Sequence, residues 1–344
     1  EENGYFIGRG ASDNKFDVAQ LTAAFIELKR EGFRPNRDVI LLFTGDEEVG
    51  GFTNTVAMLK KVRRLSPEFA LNSDSGGGIL DAAGKAEAYV VQVAEKTYAT
   101  YEVTVRNPGG HSSAPRKDNA IIELATVLKN VADYSFPAMA NDITRDFFRR
   151  VGADELGELG AAMRKFADDP NDAAAAAILS AAPEHAGRIQ TTCVATRIRG
   201  GHADNALPQS ATATINCRIF PGIPIATVQS QLARAGKNPS AEWRVSDQSP
   251  ESGFSPRNPT IDEAIAKAVH SRFPGIPLNY NMSAGGTDGV HFRGAGIPTY
   301  GVSSNFTKFN DSFQHGLNER ARVESFFGGL DHWPTLIRQL ATSP

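Results

Sequence analysis

The order of elements in this chain of 344 residues predicts an α/β protein, a parallel-rich sheet flanked by helices, with a smaller ferredoxin-like α+β unit inserted in its middle. Two observations carry the prediction. Before residue 97 and after residue 250, short apolar runs alternate with helical stretches across glycine-bearing turns, as expected of strands covered by helices. Between those limits the texture changes to strand, helix, two strands, helix, strand, the order of a ferredoxin-like unit.

In the first part, helical periodicity covers 18–30 and 53–64, while apolar runs at 39–43 and 69–73 read as strands. In the middle part, strands are expected at 98–106, 189–199, 210–220 and 242–245, with helices at 119–131 and 225–235. A stretch at 133–188, alanine-rich and acidic, reads as a helical insertion. The last part predicts a helix over 260–273, a strand at 298–302 and a final helix over 321–340. The expected domains are therefore 1–96 with 251–344, and 97–250, with no internal repeat.

Composition excludes several classes. Hydrophobic residues make up 41%, charged residues 22%, and the formal net charge is -3, so nothing basic enough to hold nucleic acid is present. No apolar stretch approaches the ~20 residues a bilayer crossing needs. The compartment stays open. Cys193 and Cys217 lie in strand-like runs, and buried free thiols are the default expectation, with pairing undecided.

The chemistry concentrates at element junctions. In Thr44-Gly45-Asp46-Glu47-Glu48-Val49-Gly50-Gly51, adjacent carboxylates follow an apolar run and can face one cavity in a glycine-flanked turn. Crowded carboxylates repel unless a cation neutralises them. The plainer reading is an acidic turn capping the next helix. Asp13 in Gly8-Arg9-Gly10-Ala11-Ser12-Asp13-Asn14-Lys15, Asp74 in Asn72-Ser73-Asp74-Ser75-Gly76, and His315 before Gly316 each sit at a similar junction, where open α/β sheets gather ligand-binding side chains. Singly they read as an N-cap, a turn acid and a histidine before a helix start. Together they form an oxygen-rich set with one histidine, which suits zinc, manganese or cobalt and excludes a thiolate site. Gly8-Arg9-Gly10 and Gly76-Gly77-Gly78 do not match a nucleotide-binding glycine pattern.

These segments, in order with Gly109-Gly110-His111-Ser112-Ser113-Ala114-Pro115, Asn205-Ala206-Leu207-Pro208, Gly285-Gly286-Thr287-Asp288-Gly289 and His315-Gly316-Leu317-Asn318-Glu319-Arg320, resemble the co-catalytic metallopeptidases of family twenty. That family includes aminoacylase, carboxypeptidase G, carboxypeptidase S and succinyl-diaminopimelate desuccinylase. The resemblance implies a zinc-exopeptidase-like catalytic domain with an inserted lid. It implies two divalent metal ions, zinc first with cobalt or manganese as alternatives. Asp13 matches the bridging ligand, Glu48 and His315 the other ligands of one metal, Asp74 a ligand of the second, and Glu47 the general base.

The same resemblance assigns His111 to oxyanion stabilisation, commonly from the partner subunit of a dimer formed through the lid. Asn205 and Arg218 match residues that hold a substrate carboxylate, and Gly286 and Thr287 a substrate-contacting loop. The implied activity is amide-bond hydrolysis in dipeptides, C-terminal residues or N-acyl amino acids. The alternatives are an N-acyl amino acid deacylase and a non-catalytic fragment dimerising through the lid. Relatives carry a His-x-Asp motif upstream of the Gly8 segment. This chain begins at Glu1 without it, so an upstream segment with the opening strands is expected to be absent, leaving apolar helix faces uncovered. His291 and His202 are the candidate substitutes, and neither falls at the expected place.

Overall fold

The computed structural model describes residues 1–49, 53–308 and 311–342. The chain divides into two compact units, one of 1–93, 254–281 and 287–344, the other of 94–253 and 282–286. In chain order come β1 (Tyr5–Ile7), α1 (Lys15–Arg30), a 3-10 turn at Glu47–Val49, α2 (Thr53–Arg63), β2 (Ala70–Asn72), β3 (Gly77–Leu80) and β4 (Ala86–Glu95). The second unit holds β5 (Thr97–Arg106), β6 (Gly110–His111), α3 (Ala120–Ala132), α4 (Asp142–Asp154), α5 (Gly157–Asp168), α6 (Ala173–Ala181) and α7 (Pro183–Ile189). It continues with β7 (Thr192–Gly200), β8 (Ala206–Leu207), β9 (Ser210–Ile219), α8 (Ile225–Gly236) and β10 (Glu242–Gln248). The chain ends through α9 (Pro259–Arg272), β11 (Leu278–Ser283), α10 (Gly289–Gly294), β12 (Thr299–Gly301), β13 (Phe306–Lys308), β14 (Arg320–Arg322), α11 (Val323–Gly328) and α12 (His332–Thr342).

The main sheet of the first unit has the order β13-β3-β4-β12-β2, with β11 also on β4. β13 with β3 and β12 with β2 are parallel, but β4 runs antiparallel to both β3 and β12. The sheet is thus mixed, not parallel-rich. The cause is local: β3 and β4 are joined by a tight turn, with Lys85 N donating to Asp81 Oδ1 at 2.8 Å and Gly84 at φ +90°, too short for a parallel crossover. Tyr89, Val91 and Val93 of β4, Ile265 and Val269 of α9, and Trp333 and Leu336 of α12 are buried. α1 is pinned by a buried carboxylate. Asp17 accepts from Trp333 Nε1 at 2.7 Å and from the hydroxyls of Ser303 and Ser304, while burial lifts its pKa to about 6 in spite of those donors.

Three expectations fail here. Residues 39–43 form no strand: they lack a ladder partner among the described residues, and Val39, Ile40 and Phe43 are exposed. The expected final helix is broken. Residues 320–322 instead pair with β1 as β14, and α11 stops at Gly328-Gly329 before α12 begins, because paired glycines favour termination over continuation. The turn at His315 likewise leads into β14 and not into a helix.

The second unit carries a four-stranded antiparallel sheet of order β10-β5-β9-β7. Leu124 and Val127 of α3 and Val228 and Leu232 of α8 share a core with Tyr101, Val103 and Ile215 of the sheet. Helices α4 to α7 have a core of their own, built on Phe148, Met163, Phe166, Leu179 and Ile189. Cys193 and Cys217 are register partners on β7 and β9, which brings their Cα atoms to 4.1 Å, and they form a disulfide with S–S 2.01 Å. The expectation of free thiols is therefore overturned by register, which no spacing along the chain reveals.

Candidate metal centre

Asp13 stands in the turn before α1, where Asn14 takes the N-cap place. The turn is held from across the unit by Glu319, which is buried: its Oε1 accepts from Ser12 N and Asp13 N, both at 3.0 Å, and its Oε2 pairs with Arg9 Nη1 at 2.8 Å. Arg9 also donates through Nη2 to Gly316 O at 2.9 Å, tying this turn to the segment that carries His315. Burial works against the charge on Glu319, but backbone N–H groups of Gly10, Asp13 and Ser12 outweigh it and, with Arg9, hold the carboxyl below its ordinary range.

Glu47 and Glu48 lie on the 3-10 turn, and the capping role foreseen for this acidic stretch falls to Asp46 instead. Its carboxylate accepts from Asn54 N at 2.6 Å and from Thr55 N at 3.1 Å at the start of α2. Asp288 braces the same region through Thr44 and through Thr55 Oγ1, the latter at 2.9 Å. Gly50 and Gly51 of this motif lie outside the described residues. Asp74 follows β2. Its N–H bonds Asn72 Oδ1 at 3.1 Å, Asn72 Nδ2 donates to Thr287 Oγ1 at 2.7 Å, and Asn14 Nδ2 reaches Ser73 Oγ at 3.1 Å.

The side chains converge. His315 Nε2 lies 3.0 Å from Asp13 Oδ2 and 3.1 Å from Glu48 Oε2, and the ligand atoms of all three fall within 4.8 Å of one another. Asp74 joins them: burial first, then the charges of Asp13 and Glu47, a hydrogen bond with Asp13 and the charge of Glu48 push its pKa strongly upward. Four carboxyl groups and an imidazole gathered in this way repel one another unless a cation is shared. The donor set therefore fits a divalent ion with oxygen and nitrogen preference, such as zinc, cobalt or manganese. Neither His291 nor His202 belongs to the three-residue group.

The remaining expected residues fall into two sets. Thr287 is buried in the first unit and supports the Asp74 turn through Asn72. Gly286 has open space where a Cβ would stand. In the second unit β6 pairs with β8, which puts His111 opposite Ala206 and lets Ser112 N donate to Asn205 O at 2.9 Å, so His111 and Asn205 are neighbours. Ser113 N donates to His111 Nδ1 at 3.2 Å, an arrangement that leaves the ring proton of the neutral tautomer on Nε2. Arg218 stands on β9 with its guanidinium 5.0 Å from the Tyr98 ring centre.

Sequence reasoning missed Asp46, Asp288, Glu319 and Arg9 as supports. Glu319 and Asp288 each lay inside a motif already singled out; Asp46 was visible only as the neighbour of the more conspicuous pair.

The chain matches the model of peptidase family M20/M25/M40 over residues 1–339. It belongs to that family. Among curated relatives, the N-fatty-acyl-amino acid synthase/hydrolase PM20D1 of Xenopus tropicalis is 26% identical over 334 residues, covering 94% of this chain and 64% of the relative. Aminoacylase-1 of Mus musculus is 26% identical, covering 100% of this chain and 74% of its own length. The chain thus spans about 64% of the length of the PM20D1 relative. Among solved structures, the M20 metallo-carboxypeptidase Sso-CP2 of Sulfolobus solfataricus aligns with TM-score 0.68 at 18% identity, over 98% of this chain and 78% of that one, a likeness of fold. No helix among the described residues is long and apolar enough to cross a membrane.

Proposed function

We propose that this M20-family chain carries the catalytic centre of a metal-dependent amidohydrolase, cleaving the amide bond next to a free carboxylate in N-acyl amino acids or small peptides. The convergence of Asp13, Glu48 and His315 with Asp74 and Glu47 supports the reading. Asp13, Glu48 and His315 would hold one cation and Asp74, with Asp13 between, a second. When bound, two such ions acidify a water and polarise a carbonyl. Glu47, close enough to raise Asp74, would take the proton from the attacking water and deliver it to the leaving nitrogen. His111 would donate from Nε2 to the developing oxyanion, worth roughly 2.7–4 kcal/mol for a single donor. Asn205 and Arg218 would grip the carboxylate, the arginine through its two-pronged fork. On this reading the second unit is a ferredoxin-like lid, through which two copies dimerise.

The names of the curated relatives favour N-acyl amino acids over dipeptides as the substrate class. The test is metal content per chain, measured with hydrolysis of N-acyl amino acids and a dipeptide panel. Glu47→Gln should retain metal and lose at least about a hundredfold in turnover. Full metal occupancy with no turnover on either panel would overturn the proposal, and near-normal turnover in Glu47→Gln would overturn the role of that residue.

A further inference from the structure

Arg218 has company that the mechanism above does not use. Across the sheet of the second unit, Arg218 on β9 is the register partner of Tyr98 on β5 and of Thr192 on β7. Directly opposed residues in adjacent strands project to one face, so these three side chains share a face. The neighbouring residues Ala99, Cys217 and Ile219 point to the other face, into the core shared with α3 and α8. Lys96, two residues before Tyr98, reaches onto the same face as Arg218. Its Nζ donates to Thr192 Oγ1 at 3.3 Å and to Gln190 O at 2.8 Å, just beyond the end of α7. The side chain is 2% exposed, among the largest fully covered groups in the molecule.

A buried ammonium normally has a carboxylate beside it, because taking a charge out of water is expensive without a partner. Among the described residues Lys96 has none: its partners are a carbonyl and a hydroxyl, and the charge felt there is that of Arg218. Arg218 itself rests on the Tyr98 ring. Among the described residues, this end of the face thus brings Lys96 and Arg218 together with no carboxylate paired to either, while Glu102, further along β5 on the same face, is taken up by Arg199 and Arg244.

We propose that Lys96 is a positioning residue for the carboxylate subsite at Arg218, supplying a second, buried positive charge that comes into balance when a substrate carboxylate is bound. This rests on the reading of Arg218 given above and deepens it. The burial of Lys96 and the nearby guanidinium both disfavour its charge, lowering its pKa to about 7, so an arriving anion would restore the ammonium as well as pair with the arginine. Gln190 and Thr192 hold the ammonium from two sides, so no rotamer search is needed on binding. The chemistry selects substrates with a free carboxylate against their amides or esters.

The test uses the metal-loaded full chain and a ligand that cannot be hydrolysed, the ketomethylene analogue of N-acetyl-leucine, together with its carboxamide. Calorimetry gives the preference for acid over amide. Lys96→Met should reduce that preference by roughly ten- to thirtyfold, as removal of a nearby charge in a medium of intermediate dielectric predicts. Binding of the carboxamide should be unchanged, and Lys96→Arg should restore most of the preference. If Lys96→Met keeps the full preference while Arg218→Met loses it, the inference on Lys96 is wrong and the Arg218 reading stands. If Arg218→Met also keeps it, the carboxylate subsite lies elsewhere and both fall. Equal loss of acid and amide binding in Lys96→Met, unrelieved in Lys96→Arg, would show a purely structural lysine and also overturn the inference.

Discussion

Glu319 offers the most searching test of how the site is held. It is 2% exposed and accepts from the backbone N–H groups of Ser12 and Asp13 at 3.0 Å, with Arg9 at 2.8 Å and a further bond from Gly10. Glu319→Ala leaves those donors facing a vacated site. A hydrogen bond to a charged group contributes about 1.5–3 kcal/mol, and neighbouring bonds are not additive, so the expected loss is about 3–5 kcal/mol for alanine. Glu319→Gln keeps one acceptor oxygen and should lose about 1–2 kcal/mol. For a unit of this size the alanine loss corresponds to a fall in Tm of roughly 6–20 °C.

The pH dependence has a definite sign. The folded-state pKa of Glu319 is lowered, so its contribution is fully present above the unfolded carboxylate value of about 4.3 and is lost as pH falls through the folded value. The gap between wild type and Glu319→Gln should therefore be widest near neutrality and close in acid. Urea denaturation across pH 3–7, roughly the span over which a carboxyl titrates, measures it. Because Asp13 loses its backbone anchor, zinc affinity should fall together with stability. An alanine variant within about 0.5 kcal/mol of wild type, or a gap constant with pH, would refute the reasoning.

Three other outcomes are expected. Asp74→Asn should leave the chelator-treated protein as stable as wild type or more so, since burial and the charges of Asp13 and Glu47 already hold Asp74 protonated at neutral pH; the thermal shift on adding zinc should shrink. Phe166→Ala, in the separate core of α4 to α7, should cost about 3–5 kcal/mol and expose that helical segment to limited proteolysis while zinc binding persists. Replacing Cys193 and Cys217 together by alanine opens a loop with a sequence separation of 24 and should cost about 3 kcal/mol, read as a lower Tm that added reductant no longer changes.

Much of this protein was legible one residue at a time. Helices announced themselves by period; the caps that start α3 and α9, Asn119 and Asn258, whose side chains accept from the first turns, came from the structure. Asp13, Glu48, Asp74 and His315 each had a plainer reading alone; their shared place at element junctions and the resemblance of their motifs made them candidates as a set. Other expectations failed where the outcome depends on a partner distant in sequence. The apolar run at 39–43 looks like a strand, yet a strand exists only when another pairs with it. β4, whose antiparallel pairing with β3 and β12 makes the sheet mixed, was not among the expected strands.

Local chemistry, then, determined the types of most main elements and the α/β class, since propensity and periodicity act within a few residues, and the resemblance of the junction motifs supplied the candidate ligands. Register and long-range hydrogen bonds decided the rest: the mixed sheet, the Cys193–Cys217 bond, Glu319 beneath Asp13, and Lys96 beside Arg218. Those contacts join positions tens to hundreds of residues apart, and which of many compatible partners each side chain meets is set only when the whole chain packs.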